Sequence, residues 1–408
     1  MEYFELYPLL KDKVNYNDDY IAIDAHTGLF NEDFESFNYN ILPGEDEYLC
    51  KSHQAITTDP YNFENHVGTV NEMLDVHDSK VEENRHFRYH IFKPAGVDKA
   101  SGAILMLHGF NEKYWDKYLP WAKRLMEQTG KAVVLFPIAF HMNRAPHEWC
   151  ERRLMHEVSD LRKKTFPDVI CSSLVNVAIS TRLQAKPQRF VWSGLQTYYD
   201  VIRLIRQIQA DKHPHIAPEA SIDIFSYSIG SLLSEILVMT NPDNLFAKSK
   251  LCMFCGGAVF NRMSPVSKFI LDSESNVSLY SFVIEHIDSH LKHDERLRHY
   301  LSERHPEGIA FLSMLNYNHM RAFREKRFRE LSDRILAIGL EKDTVIPAYE
   351  IVNTLQGSAR NVPVRVETLD FPYDYKHEDP FPFTPKIKEQ VNQCFNDVFT
   401  IASDFFNN

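Results

Sequence analysis

The sequence is short of positive charge: 45 Lys and Arg stand against 56 Asp and Glu in 408 residues, a formal charge of −11. A chain with that balance lacks the basic face needed to hold a phosphate backbone, so nucleic acid is not an expected partner. Long apolar runs are also missing. The most hydrophobic stretch, AVVLFPIAF from Ala132 to Phe140, falls far below the ~18 residues that indicate a membrane span. The first ten residues, MEYFELYPLL, hold two glutamates and no Lys or Arg, and so lack the basic region of a secretory signal. A cytoplasmic protein is the expectation. Six cysteines are too few for a disulfide framework in a chain of this length, and free thiols are expected. There are no internal repeats and no low-complexity segments. What remains, 44% hydrophobic and 25% charged residues, is the composition of an ordinary globular protein with a sizeable core.

Residues 1–85 are acidic and aromatic without a sustained helical or strand period, and read as an irregular arm or small cap packed on the main domain. From His86 onward the pattern changes. HFRYHIFKP alternates, and GAILMLHG and KAVVLFPIAF are short apolar runs. Between the last two lies a helical stretch closed by Gly130, a residue suited to a helix C-cap. The alternation resumes with SIDIFSYS, KLCMFCGG, DRILAIGL and VPVRVETLDF, separated by amphipathic helical patterns. Apolar strands interleaved with helices predict an α/β fold, a mostly parallel, doubly wound sheet of about eight strands. Two stretches interrupt it, about 141–189 and 259–329, both helical and charged and too long for plain loops. They divide the core into 86–258 and 330–408, with 259–329 expected as a helical cap.

The residues that can carry chemistry fall at strand ends. In Ile224-Phe225-Ser226-Tyr227-Ser228-Ile229-Gly230, Ser228 lies where a strand gives way to a helix. A tight turn there projects the hydroxyl and aims the next backbone N–H at a developing oxyanion; a bare helix cap is the plainer reading of the same serine. Leu107-His108-Gly109-Phe110 follows an apolar strand, where a second oxyanion N–H would be supplied. Asp343 follows the strand ILAIGL, and His377 follows VRVETLDF. Ser228, Asp343 and His377 thus occur in the order nucleophile, acid, base, each beyond a strand's carboxyl end, where open α/β sheets place their sites.

In these motifs the chain resembles the α/β-hydrolase superfamily from about His86 to Phe406, the two insertions apart. The resemblance implies Ser228 as nucleophile, His377 as general base, Asp343 as the acid that orients it, and the backbone N–H groups of Phe110 and Ile229 as the oxyanion hole. One departure is Ser226 where glycine is usual. The implied chemistry is acyl transfer through an acyl-enzyme on a small-molecule substrate, most simply a carboxylic ester. A catalytically silent binding module and an amidase or peptidase of the same fold are the alternatives. No cofactor and no metal are expected, and the oligomeric state is left open.

Further residues need sorting. His108, Tyr227, His141, Asn143 and Arg144 are candidates for substrate contact. Asp370, Asp374, Glu378 and Asp379 flank His377 but read as surface acids of its loop. Cys252 and Cys255 form a lone C-x-x-C expected as buried strand cysteines on opposite sides. His286, His290 and His293 recur at helical spacing, in a stretch that looks like a solvated helix rather than a metal site. The run from Arg321 to Glu330 reads as another solvated helix face.

Overall fold

The most apolar segments form the middle of one large sheet. In chain order the strands are β1 (Tyr20–Asp24), β2 (Thr27–Glu35), β3 (Glu47–Cys50), β4 (Ala55–Thr58), β5 (His86–Pro94), β6 (Ala100–Leu107), β7 (Ala132–Leu135), β8 (Ile216–Tyr227), β9 (Leu251–Phe254), β10 (Ile335–Leu340) and β11 (Arg365–Leu369). The computed structural model describes residues 1–58, 74 and 76–408. Nine strands join in the order β1-β2-β5-β7-β6-β8-β9-β10-β11, and β3 and β4 form a separate hairpin. From β7 to β11 neighbouring strands are parallel; β1, β2 and β5 pair antiparallel, β5 also with β7. This is the α/β-hydrolase fold expected from the sequence, with nine strands in the sheet among the described residues.

Two apolar layers explain why the central strands read as unbroken hydrophobic runs. Along β6, Ala103, Leu105 and Leu107 belong to one core cluster while Ile104 and Met106 belong to the other. β10 divides in the same way, with Ile335 and Ala337 on one face and Leu336, Ile338 and Leu340 on the other. A strand covered on both sides has no polar face to show. Helices Arg189–Gln209 and Ile229–Thr240 supply the first layer, and Tyr118–Thr129 and Lys388–Asn407 the second.

The amino-terminal reading needs correction. Residues 3–35 are not an irregular arm: Tyr3–Lys13 is a helix with Tyr3, Phe4, Leu6 and Leu10 buried, and β1 and β2 extend the main sheet. β2 pairs with β5 in unbroken register from Thr27 opposite Pro94 to Glu35 opposite His86. Periodicity missed the helix because Pro8 interrupts its short pattern. It missed β2 because that strand buries residues on both faces near its start, so its burial does not alternate. The part of this region at 59–73 and 75 lies outside the described residues.

Between β9 and β10 the chain runs through helices Ser273–Tyr280, Ile287–His293, Glu295–Tyr300, Pro306–Leu315 and Arg321–Glu330; between β7 and β8 it adds Arg152–Thr165 and Val177–Ala185. A buried ion pair ties the two insertions together. Arg162 meets Asp272 in a fork, Nη2 to Oδ1 at 2.9 Å, both side chains fully enclosed. Asp272 also accepts from the Ser275 N–H at 3.0 Å, capping the helix Ser273–Tyr280. Removal of one partner from such a pair strands the other charge, a cost of roughly 3–5 kcal/mol.

Several histidines are locked inside the fold as neutral rings. Burial lowers His90 to about 3 and both His141 and His213 to about 4. In the unfolded chain each returns to about 6.5, so below that pH the unfolded state binds protons that the folded state refuses. Their contribution is complete above about pH 6.5 and is lost as the pH falls, by about 1.4 kcal/mol per pH unit for each histidine until its folded value is reached. Urea unfolding followed between pH 7 and pH 4 should show this decline, and His213→Phe should flatten it.

Candidate active site

The turn after β8 is built by sterics. Ser228 sits at φ 56°, ψ −125°, a conformation that costs a residue with a Cβ about 1–3 kcal/mol and persists only where its surroundings enforce it. The enforcement comes from close packing of the helix Ile229–Thr240 on β6. A Cβ on Gly230 would lie 2.7 Å from the carbonyl oxygens of both Leu107 and His108, so only glycine admits that approach. Ser226, two residues before Ser228, is fully buried and its hydroxyl lies 3.2 Å from that of Ser231. Serine is thus accommodated where glycine is usual.

The three strand-end residues converge. His377 Nε2 lies 2.7 Å from Ser228 Oγ, and His377 Nδ1 lies 2.7 Å from Asp343 Oδ2. The second carboxylate oxygen of Asp343 accepts the backbone N–H groups of Val345 at 2.8 Å and Ile346 at 3.0 Å, which fixes the carboxylate plane. With Asp343 accepting a hydrogen bond from Nδ1–H, Nε2 keeps its lone pair toward the serine hydroxyl. The flanking acids lie elsewhere. Asp370 pairs with Lys342 at 3.1 Å, Glu378 accepts from Ser267 Oγ at 2.6 Å, and Asp374 and Asp379 are exposed.

The loop bearing His377 is held from below and from the side. Tyr227 stacks on the imidazole, centroids 5.5 Å apart and planes within 19°, and donates its hydroxyl to the His377 carbonyl. Lys117, ion-paired with Glu112, donates to the Glu378 carbonyl at 3.0 Å. Sequence reasoning did not single out Lys117, Glu112 or Tyr118, whose hydroxyl accepts the Gly109 N–H at 2.9 Å and donates to Glu112 at 2.8 Å. Nothing in their local sequence marks them, since each acts across the fold.

Phe110 and Ile229 border the same apolar cavity as Ser228. Ile229 opens its helix, so its N–H has no intrahelical acceptor. Asn111, next to Phe110, donates to the carbonyls of Val175 and Phe269, tying this strand-end loop to both insertions.

The other candidates separate into lining and framework. His141 lines the cavities beside Phe110; its Nδ1 donates to Ala139 at 2.8 Å, while Nε2 is buried with no hydrogen-bond partner. His108 is framework: fully buried, it donates Nδ1–H to the Gly109 carbonyl and accepts the Ile138 N–H on Nε2, and burial holds it well below the usual histidine range. Arg144 is equally enclosed, bonded to Asp200 at 2.9 Å and stacked over Phe87. Asn143 is exposed and donates to the Arg88 carbonyl. All three side chains are engaged in hydrogen bonds to the protein's own backbone or to Asp200.

Cys252 and Cys255 are buried free thiols, but they do not face opposite sides. Cys255 follows the end of β9 with φ 49°, and this turn brings it into the same apolar cluster as Cys252. It lies against Asp343, and burial together with that carboxylate pushes its thiol well above the usual range. His286 and His293 are exposed and His290 is half-buried against Phe282. In Arg321–Glu330, Arg324 and Phe328 turn inward and the remaining positions are exposed or half-buried.

The cavity at Ser228 is lined by Phe110, Phe190, Phe260, Met263, Leu271 and Leu279, among others. A second apolar cavity shares Phe110, Phe190 and Ile229 with it and continues along Leu232, Leu233, Ile236 and Phe311. A wider cleft also bordered by Phe110 contains the polar residues Asn111, Glu112, Lys117 and Glu378 beside Tyr114, Trp149 and Phe269. Among the described residues no helix is long and apolar enough to cross a membrane.

The model of one family, described as Family of unknown function (DUF6051), matches residues 1–407, and the chain belongs to that family. No curated protein matches the chain. Among solved structures it is similar to vibralactone cyclase, at 11% identity over 98% of this chain and 84% of that one, with a TM-score of 0.44. It is also similar to carboxyl esterase 2 of the mycorrhizal fungus Tuber melanosporum, at 12% identity over 78% and 80% of the two chains, TM-score 0.42. Brefeldin A esterase, a bacterial homologue of human hormone-sensitive lipase, matches at 12% identity over 79% and 73%, TM-score 0.40. Likenesses of this degree assign neither a substrate nor a site residue to this chain.

Proposed function

We propose that this chain is a serine hydrolase that cleaves carboxylic esters with an apolar acyl group. The observation that carries the reading is the unbroken chain from Ser228 Oγ through His377 to Asp343, both links at 2.7 Å. A free serine hydroxyl is a weak nucleophile at neutral pH, and an imidazole within hydrogen-bond reach takes its proton as it attacks the carbonyl. The tetrahedral oxyanion is then held by the N–H groups of Ile229 and Phe110. His377 returns the proton to the departing alcohol, and water repeats the sequence on the acyl-enzyme to release acid and free enzyme.

The walls around Ser228 choose the acyl group. Phe190, Phe260, Met263, Leu271 and Leu279 offer no partner for a charged or hydroxylated chain, and burying a polar group there without a hydrogen bond is costly. His141 Nε2, buried without a partner in the adjoining cavity, carries a lone pair because Nδ1 donates to Ala139, so it can accept from a substrate O–H or N–H but has no proton for an ester oxygen. The wider cleft that shares Phe110 with this cavity is the space we assign to the alcohol. Because each buried methylene is worth about 0.8 kcal/mol, kcat/KM for p-nitrophenyl esters should climb roughly four-fold per added methylene from acetate upward until the cavity is filled. A steady fall from acetate, or turnover of anilides with none of esters, would contradict the ester assignment.

A further inference from the structure

The residues Cys50, His53, His299 and His305 offer one ligand atom each, and these four atoms all lie within 4.8 Å of one another. They come from two parts of the fold. Cys50 closes β3 and His53 stands in the turn before β4, giving a Cys-x-x-His on the small hairpin. His299 lies in helix Glu295–Tyr300, and His305 immediately precedes helix Pro306–Leu315, both in the cap. From this arrangement we infer a zinc site that fastens the hairpin to the cap.

The distances fit a tetrahedral ion. A sulfur about 2.3 Å and a nitrogen about 2.0 Å from a shared centre stand about 3.5 Å apart at the tetrahedral angle. Cys50 Sγ lies 3.5 Å from His53 Nδ1 and 3.6 Å from His305 Nε2. The three rings stand nearly perpendicular to one another, at 89° for His53 and His305, 83° for His53 and His299 and 74° for His299 and His305. They are therefore splayed around a common point rather than stacked in parallel.

Hydrogen bonding alone does not account for the cluster. The Cys50 thiol can donate to one imidazole nitrogen and accept from another, which covers His53 and His305, but His299 Nε2, converging on the same point, is buried without a partner. A buried polar atom left in this way costs roughly 1–3 kcal/mol, whereas a bound cation satisfies every converging lone pair. The surroundings complete the pattern. His305 donates Nδ1–H to Glu307 at 2.8 Å, and Tyr199 donates its hydroxyl to the same carboxylate. A carboxylate on the far ring nitrogen fixes the tautomer that leaves Nε2 free, which is how metal-ligating histidines are usually oriented.

Four protein ligands leave no open position, so the site is structural rather than hydrolytic. On binding, the Cys50 thiol releases its proton and the thiolate takes one coordination position; no electron is transferred. Cys50, His299 and His305 are buried while His53 is exposed, which leaves one side through which an ion can arrive. Glu307 also borders the apolar cavity along Ile229 and Leu232. The ion would thereby hold in place a wall of the candidate acyl site.

The test uses the full chain. Elemental analysis of the purified protein should find about one equivalent of zinc, retained through gel filtration. After chelation, Co(II) added to the wild-type protein should produce the visible bands of a tetrahedral complex and a thiolate charge-transfer band, both displaced by zinc. Cys50→Ser should abolish the charge-transfer band and His299→Ala should lower the zinc content several-fold, whereas His286→Ala, outside the cluster, should change neither. Ser228→Ala should bind the full complement, so the metal reading stands or falls apart from the hydrolytic one. Wild-type protein that carries no zinc and gives no tetrahedral Co(II) spectrum would overturn the proposal, as would a charge-transfer band that survives in Cys50→Ser.

Discussion

Ser228→Ala and His377→Ala are each expected to lower kcat for an activated ester by about 10⁵- to 10⁶-fold, and the double variant should be little worse than either. The reason is interdependence. The hydroxyl has no useful nucleophilicity unless His377 Nε2, 2.7 Å away, removes its proton, and the imidazole has no proton to take once the hydroxyl is gone. KM should move far less, because the apolar walls that hold the acyl group are intact in both variants. Ser228→Ala keeps the backbone at φ 56°, so its unfolding midpoint should stay near that of the wild type; circular dichroism and urea unfolding alongside the kinetics separate lost chemistry from lost structure. A Ser228→Ala protein with wild-type turnover would refute the mechanism.

Asp343→Asn carries the second large effect, a fall in kcat of about 10⁴-fold. The backbone decides its direction. Val345 and Ile346 both aim N–H groups at Oδ1, so an asparagine would keep its carbonyl oxygen there and turn its amide nitrogen toward His377. The amide would donate to Nδ1, drive the ring proton to Nε2, and leave nothing to accept the serine proton. Glu378→Gln and Asp379→Asn, whose side chains do not meet the ring, should change kcat by no more than a few-fold. If Asp343→Asn were nearly neutral while Asp379→Asn abolished turnover, the acid would be misassigned although the serine mechanism could stand.

Local pattern carried the parts of this molecule that depend on local physics. Strands such as GAILML and ILAIGL are apolar throughout because both faces are covered, and each ends in a turn whose residues are set by the strand before it. Ser228, Asp343 and His377 were therefore legible from strand ends alone. Residues whose role lies in long-range packing were not. His108 and Arg144 sit at the site end of the sheet in sequence, yet one bonds the Ile138 backbone and the other Asp200, partners that no spacing announces. The first 35 residues hid a helix and two strands because Pro8 broke one pattern and two-sided burial near the start of β2 blurred another. Cys50 and His53 are close in sequence, whereas His299 and His305 come from about 250 residues away and meet them only in the folded structure.

The most direct test of the central claim is covalent. Folded wild-type protein treated with a fluorophosphonate should gain one adduct, and peptide mass spectrometry should place it on Ser228, because the probe reacts with a serine only when a base activates it and an oxyanion hole receives the phosphoryl oxygen. Ser228→Ala should gain none and His377→Ala should label far more slowly. Folded wild-type protein that stays unlabelled, or an adduct that forms equally well on Ser228→Ala, would contradict the account.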